Sequence, residues 1–317
     1  MVGRLFLHLG AHKTASTHLQ RCLELLSPQL RGESVAYAGP KQIRADAGLI
    51  LRQATLQAKK QNPPFKVAEH LDDLAAGADV LLLSEENLLG HMRLRDDPAE
   101  TAAIYPEADR RVRELALACP ETPIDIFIAV REPTDFLYSS YAQDIRFRKV
   151  RPFDEFLHGL TPDAFRWSEL IARLAAVPEV DHVYVWSYES YPAVFPALID
   201  ILSGGTLKGR RPAVTRRVYE SLSKAAVEMA LGEVAAGREA PPASLLTRKH
   251  PRQSPEDRFT YWDDATHEES KRRFQADIDL IQSYEDVTWV SPIDFKDDEG
   301  AQTISGLKYR VRLRICS

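Results

Sequence analysis

The sequence predicts an α/β fold: a mainly parallel sheet of four or five strands flanked by helices. Short apolar runs at Leu5–Leu9, Asp79–Leu83, Ile124–Val130 and His182–Trp186 each have the length of a buried strand. Segments with helical spacing separate them, so strand and helix alternate as a sheet with crossover helices requires. Polar clusters follow the first three runs directly, and ligands bind open α/β sheets beyond the carboxyl ends of the strands.

The first run is the most informative. Gly10 breaks it, and Leu19, Cys22, Leu23 and Leu26 then recur at helical spacing. Between strand and helix lie Ala11, His12, Lys13, Thr14, Ala15, Ser16 and Thr17. A small-residue loop at a helix N-terminus makes an anion site. The first N–H groups of the helix lack intrahelical partners and the dipole adds partial positive charge. Lys13 adds a full charge, and Thr14, Ser16 and Thr17 add donors. A Walker A loop needs a glycine directly before its lysine, and here Gly10 is the only glycine, so this phosphate loop is a shorter kind.

Helices are expected at Gln42–Lys60, stopped by Pro63 and Pro64, and at Val67–Ala76; Ser34–Gly39 reads as a short strand or loop. After the second run come Ser84, Glu85, Glu86 and Asn87, at a ligand-binding position. They also suit a helix start, with Ser84 as cap and the acids offsetting the dipole. Ala99–Cys119 reads as a helix with a solvated charged face. After the third run, Arg131 ends the strand, Pro133 fits a first helical turn and Ser139 lies two turns along. An arginine fork holds a phosphate bidentately and a serine adds a donor. The competing reading pairs Arg131 with Glu132 or Asp135.

Two motifs now point to a family. H-x-G-x-x-K-[ST]-x-[ST]-[ST], from His8 to Thr17, resembles the 5′-phosphosulfate loop of sulfotransferases that use 3′-phosphoadenosine-5′-phosphosulfate (PAPS). R-x-P-x₅-S-x-Y, from Arg131 to Tyr141, resembles their 3′-phosphate motif. Ser84–Asn87 is similar to their S-x-E-N pattern, and Tyr188-Glu189 after the fourth run is similar to their strand-YE-helix junction, with an architectural role. The resemblance, closest to bacterial members, covers Arg4–Leu202. It implies a P-loop-like sulfotransferase architecture. Gly10, Ala11, His12, Lys13, Thr14, Ala15, Ser16 and Thr17 would hold the 5′-phosphosulfate, and Arg131 and Ser139 the 3′-phosphate. Lys13 would neutralise the leaving group and Glu86, rather than Glu85, would take the acceptor's proton, with His12 or His91 next in line. PAP would be the product, no metal would be needed, and the acceptor would be a hydroxyl or amine of a carbohydrate, glycolipid or small metabolite. Two other classes remain: a P-loop small-molecule kinase using ATP and magnesium, and a non-catalytic nucleotide-binding or scaffold protein.

The rest of the chain carries less. Arg146, Arg148, Lys149 and Arg151 read as solvated surface, or as a patch that draws in an anionic acceptor. Helices are expected at Phe153–Leu160, Pro162–Val177, Tyr191–Leu202 (ended by Gly204 and Gly205), Val218–Val234 and Thr266–Tyr284, with a strand at Val287–Val290. Gly237–Asp257 reads as a loop or lid. Arg210, Arg211, Arg216, Arg217, Arg248 and Lys249 are candidates for a basic loop over the nucleotide. Residues 1–295 are read as one domain. The tail, 296–317, alternates apolar and basic residues from Leu307 to Ile315, as a basic edge strand does.

Composition sets outer limits. The 317 residues are 44% hydrophobic and 27% charged, ordinary for a globular protein, and the net charge of −5 argues against a broad nucleic-acid-binding face. Cys22, Cys119 and Cys316 are far apart and show no metal-ligand spacing, which suits a reducing compartment. No signal-peptide pattern or membrane-length run is visible, so a cytoplasmic protein without membrane insertion is expected.

Overall fold

A computed structural model describes residues 2–45, 65–90, 104–117, 119–147, 149–205, 207 and 221–291. Six strands form one parallel sheet: β1 (Arg4–His8), β2 (Val35–Ala38), β3 (Val80–Ser84), β4 (Ile124–Val130), β5 (Val180–Ser187) and β6 (Val287–Trp289), in the order β2-β3-β1-β4-β5-β6. The expected count of four or five is therefore too low. The strand expected at Val287–Val290 forms β6, and Ser34–Gly39, read as strand or loop, supplies β2 as the further strand; these are the two edges, only three and four residues long. An edge strand is paired on one side alone and needs no long apolar run.

The helices are α1 (Ser16–Gly32), α2 (Pro40–Ala45), α3 (Phe65–Ala75), α4 (Ala108–Ala116), α5 (Pro133–Arg146), α6 (Phe153–Leu157), α7 (Trp167–Ala175), α8 (Tyr191–Leu202), α9 (Lys224–Ala235), α10 (Ala243–Lys249) and α11 (Asp264–Gln282). Strand residues alternate between two cores, as their period of two dictates. Phe6, Leu82, Phe127 and Trp186 pack with α1 and α8. Leu5, Leu7, Leu83, Ile126 and Ile128 pack with α3, α4, α5, α7 and α11. α1 continues past Pro28 because Leu30, beyond it, is fully buried.

Several boundaries differ from expectation for local reasons. α6 stops at Leu157 because His158 and Gly159 turn left-handed, and Pro162–Val177 divides into a 3₁₀ turn and α7. Gly237–Asp257 is not a bare loop: α10 forms within it, with Leu246 buried, and Ser223 Oγ donates to the His250 carbonyl at 2.7 Å. Ser223 also caps α9. The 99–119 helix forms only as α4, because residues 104–107 bend and turn with Tyr105 at φ 48°, and the 218–234 helix starts at Lys224. Positions 46–60, 99–103, 118, 218–220 and the alternating tail lie outside the described residues.

The topology fixes where a ligand site belongs. From β1 the chain moves through α1 to β2, and from β4 it moves the opposite way through α5, α6 and α7 to β5. Neighbouring strands whose connections diverge leave a crevice at their carboxyl ends. Here that crevice lies between β1 and β4. No helix among the described residues is long and apolar enough to cross a membrane.

One tertiary cap ties the outer layer to this point. α7 has no local side-chain cap; buried Asp277 of α11 instead accepts from Trp167 N at 2.8 Å, Ser168 N at 3.2 Å and Ser168 Oγ at 2.5 Å. Asp277→Ala should lower the unfolding free energy by about 2–4 kcal/mol, because it leaves first-turn donors of α7 buried without an acceptor. Urea denaturation would show a lower midpoint with unchanged slope. Asp277→Asn, which keeps the shape and one acceptor oxygen, should lose less.

Candidate functional site

The loop after β1 is held in a conformation that few residues adopt. Gly10 has φ 27°, and a Cβ there would sit 2.7 Å from His8 Nε2, so the position requires glycine. Lys13 and Ala15 are also left-handed, with φ 65° and 66°. Each costs roughly 1–2 kcal/mol in a non-glycine residue and persists only where neighbours impose it. The neighbours are visible. Arg131 Nη1 donates to the Lys13 carbonyl at 2.7 Å, Thr14 Oγ1 donates to the Ala11 carbonyl at 2.5 Å, and His12 N donates to Tyr105 Oη at 3.1 Å. A backbone turning through left-handed residues presents N–H groups to one side as an anion concavity. α1 then starts at Ser16 with no side-chain cap and no acid in its first turn, so those N–H groups also face the loop. Ser16 is buried and Thr17 half-buried at this start. Thr14's hydroxyl hydrogen serves the loop rather than a ligand.

The charges that act on Lys13 are of one sign. Lys13 makes no ion pair among the described residues. Burial, then the nearby charges of Arg131 and Arg146, pull its ammonium from 10.5 to about 8. Arg131 pairs with neither Glu132 nor Asp135. Glu132 Oε2 accepts from Thr134 Oγ1 and Asp135 N, its Oε1 accepts from Ser270, and Asp135 pairs with Arg258. The Arg131 guanidinium instead lies over the Tyr188 ring, 4.2 Å from its centroid, with Nε buried and unpartnered. Ser139 is buried on α5 and makes no hydrogen bond to Arg131 among the described residues.

The two acids after β3 share Arg44 and otherwise differ in their surroundings. Glu85 is 1% exposed, is gripped by Arg44 at 2.8 and 2.9 Å, and accepts from Asn87 N and Nδ2 at 3.0 and 2.6 Å. Glu85, not Ser84, caps the 3₁₀ turn Glu86–Leu89. Ser84 Oγ is bonded to His8 Nδ1 at 2.6 Å; burial pulls that imidazole down to about 4 against the opposing charge of Glu86, so His8 is a neutral floor beneath Gly10. Glu86 is partly exposed. Its Oε2 accepts from Gln20 Nε2 at 2.8 Å, and Arg44 stands 3.5 Å from its Oε1. His12, the alternative base, stacks on Tyr105 with Nδ1 3.0 Å from its hydroxyl.

Sequence reasoning misses Tyr105, Gln20, Arg44 and Trp167. Tyr105 reaches His12 from 93 positions away, and no local pattern marks it. It also misses a cleft of about 580 Å³ on the β5 side of Arg131, between the start of α5 and α11, with Glu132, Glu189, Arg258, Trp262 and His267 in its walls. Arg248 and Lys249 end α10, exposed, and bond to none of the loop residues. Arg210, Arg211, Arg216, Arg217 and His91 lie outside the described residues. Among the described residues no group of three or more His, Cys, Asp or Glu is placed to hold a metal.

No family model matches the chain, and no curated protein matches it. A solved chain from the characterisation of the PezAT chromosomal toxin–antitoxin system of Streptococcus pneumoniae aligns over 89% of this chain and 88% of its own, at 12% identity. Its TM-score is 0.24, which carries no argument about fold or activity.

Lys13 gives the site a proton-linked signature. At pH 8 roughly half the molecules carry a neutral Lys13, and a bound anion favours the charged form, so the complex takes up a proton. Affinity for sulfate, which does not titrate in this range, should fall as pH rises through 8. Calorimetry in two buffers of different ionisation enthalpy should read up to about half a proton taken up at pH 8 and little at pH 6.5. Lys13→Met should abolish the uptake. Binding without proton exchange at both pH values would contradict this assignment.

Proposed function

We propose that the chain is a PAPS-dependent sulfotransferase of P-loop-like architecture, moving a sulfuryl group to a hydroxyl or amine of a carbohydrate, glycolipid or small metabolite. The observation that carries the reading is the meeting of Lys13 and Arg131 across the β1–β4 crevice. Two cations without carboxylate partners, one hydrogen bond apart through the Lys13 carbonyl, suit a ligand with two separate anionic groups. PAPS has its phosphosulfate and its 3′-phosphate. The motif resemblance from His8 to Thr17 and from Arg131 to Tyr141 supports the same assignment.

In this reading the loop N–H groups and Lys13 hold the 5′-phosphosulfate, and Arg131 with Ser139 serves the 3′-phosphate. The acceptor oxygen or nitrogen attacks sulfur as the bond from sulfur to the 5′-phosphate oxygen breaks. The bonding pair leaves with that oxygen, giving PAP. Lys13 neutralises the charge that grows there, and Glu86 receives the acceptor's proton. Gln20 orients Glu86 by its hydrogen bond to Oε2. Glu85, buried and saturated, serves the scaffold. Positioning and charge stabilisation supply most of such a transfer.

PAP should bind at least about tenfold more tightly than 5′-AMP, because a fork-held phosphate contributes roughly 1.5–3 kcal/mol. Equal affinities would remove the nucleotide assignment of Arg131. Activity with PAPS should survive EDTA; loss on chelation, restored by magnesium, would favour the kinase.

The three charged residues should fail differently. Lys13→Ala should lower kcat by about 10²–10³-fold, more than it lowers nucleotide affinity. Glu86→Gln should lower kcat by about 10²–10⁴-fold and leave PAP affinity near wild type. Glu85→Gln should lower thermal stability, since it weakens a buried, Arg44-paired carboxylate. A crippled but fully stable Glu85→Gln would exchange the roles of the two acids.

A further inference from the structure

We propose that Tyr188 is a positioning residue that sets the plane in which Arg131 meets the nucleotide, an inference that rests on the PAPS reading above. The turn after β5 is joined to β4 on both sides of Arg131. Tyr188 N donates to the Val130 carbonyl at 2.8 Å, and Glu189 Oε1 accepts from Glu132 N at 3.0 Å. Glu189 is itself fixed, its Oε2 accepting from Ser187 Oγ at 2.5 Å and its N–H donating to the same hydroxyl at 3.0 Å. The carbonyl of Arg131 accepts from Trp167 Nε1 at 2.7 Å, and Trp167 is fully buried. The backbone of three successive residues, Val130, Arg131 and Glu132, is thereby tied down by side chains and a turn that leave the Arg131 side chain untouched.

The side chain is then ordered by two contacts alone among the described residues. Its Nη1 reaches the Lys13 carbonyl, and its flat face lies on the Tyr188 ring. One contact fixes a point and the other a plane. Together they hold a long, rotamer-rich side chain in one place before any ligand arrives, and ordering in advance removes that cost from binding. The junction that looks architectural in sequence therefore serves the nucleotide's 3′ end.

The test compares Tyr188→Leu, which removes the ring, with Tyr188→Phe, which keeps its face and lacks only the hydroxyl. Dissociation constants for PAP and 5′-AMP are measured by calorimetry, with thermal unfolding as a folding control. A lost ring–guanidinium contact should weaken PAP about 3–10-fold in Tyr188→Leu and leave 5′-AMP within about twofold. Tyr188→Phe should match wild type for both. The proposal is overturned if Tyr188→Leu keeps its PAP affinity, if it weakens both ligands equally, or if Tyr188→Phe loses as much as Tyr188→Leu. Should Tyr188→Leu fail to fold, Tyr188→Gln takes its place in the same comparison. A wild type that does not prefer PAP over 5′-AMP overturns the PAPS reading instead. Tyr188 is then judged by amide exchange of His12–Thr17, about 3–10-fold faster in Tyr188→Leu alone if the ring steadies Arg131. Equal exchange in all three proteins overturns it.

Discussion

The site depends on the bond from Arg131 Nη1 to the carbonyl of Lys13. Lys13 sits in a left-handed conformation that a lysine avoids, and the loop keeps it there because a residue from another strand holds its carbonyl. The same bond keeps two positive charges near each other in a half-buried place. Its cost is legible in Lys13, whose ammonium falls from 10.5 to about 8 mainly through burial, then through Arg131 and Arg146; that is on the order of 3 kcal/mol against the charged form. The penalty is full below pH 8 and fades between 8 and 10.5, where the unfolded lysine would still be charged. An anion bound in the crevice would offset both terms.

A similar division of labour separates Glu85 from Glu86. Adjacent acids at a strand end carry the same charge and the same side chain, so their surroundings decide what each does. Glu85 turns inward, where Arg44 and the two Asn87 donors occupy its oxygens. A carboxylate so saturated stabilises the turn and is poorly placed to accept another proton. Glu86 is oriented by the amide of Gln20 from α1, with Arg44 3.5 Å from its other oxygen, and keeps access to solvent. The helix that starts at the loop after β1 thus also holds the acid, which ties the two halves of the proposed reaction to one element.

Much of this was legible in the sequence because it is local. Four buried strands, the loop from Gly10 to Thr17 and the helix at Pro133 follow from apolar runs, a glycine and a proline. The edge strand Val35–Ala38 was harder to tell from a loop, since four residues paired on one side leave little pattern. α10 was obscured by polar residues that face solvent around a single buried leucine, Leu246. What the sequence hides is the support of the site: Tyr105 under His12, Gln20 on Glu86 and Trp167 on the Arg131 carbonyl. Each is a contact between elements far apart in the chain, set by the sheet order rather than by spacing.

Those supports reach into the outer layer. Asp277 of α11 caps α7; the first residue of α7 is Trp167; its indole holds the Arg131 carbonyl; and Arg131 holds Lys13. Four residues from four parts of the chain form a continuous path from an outer helix to the loop after β1. Every link is a hydrogen bond made by a buried or half-buried group, so loosening one leaves a donor or acceptor unsatisfied rather than returned to water. The strained loop is thereby joined to α11 through three hydrogen bonds, each between groups from different parts of the chain.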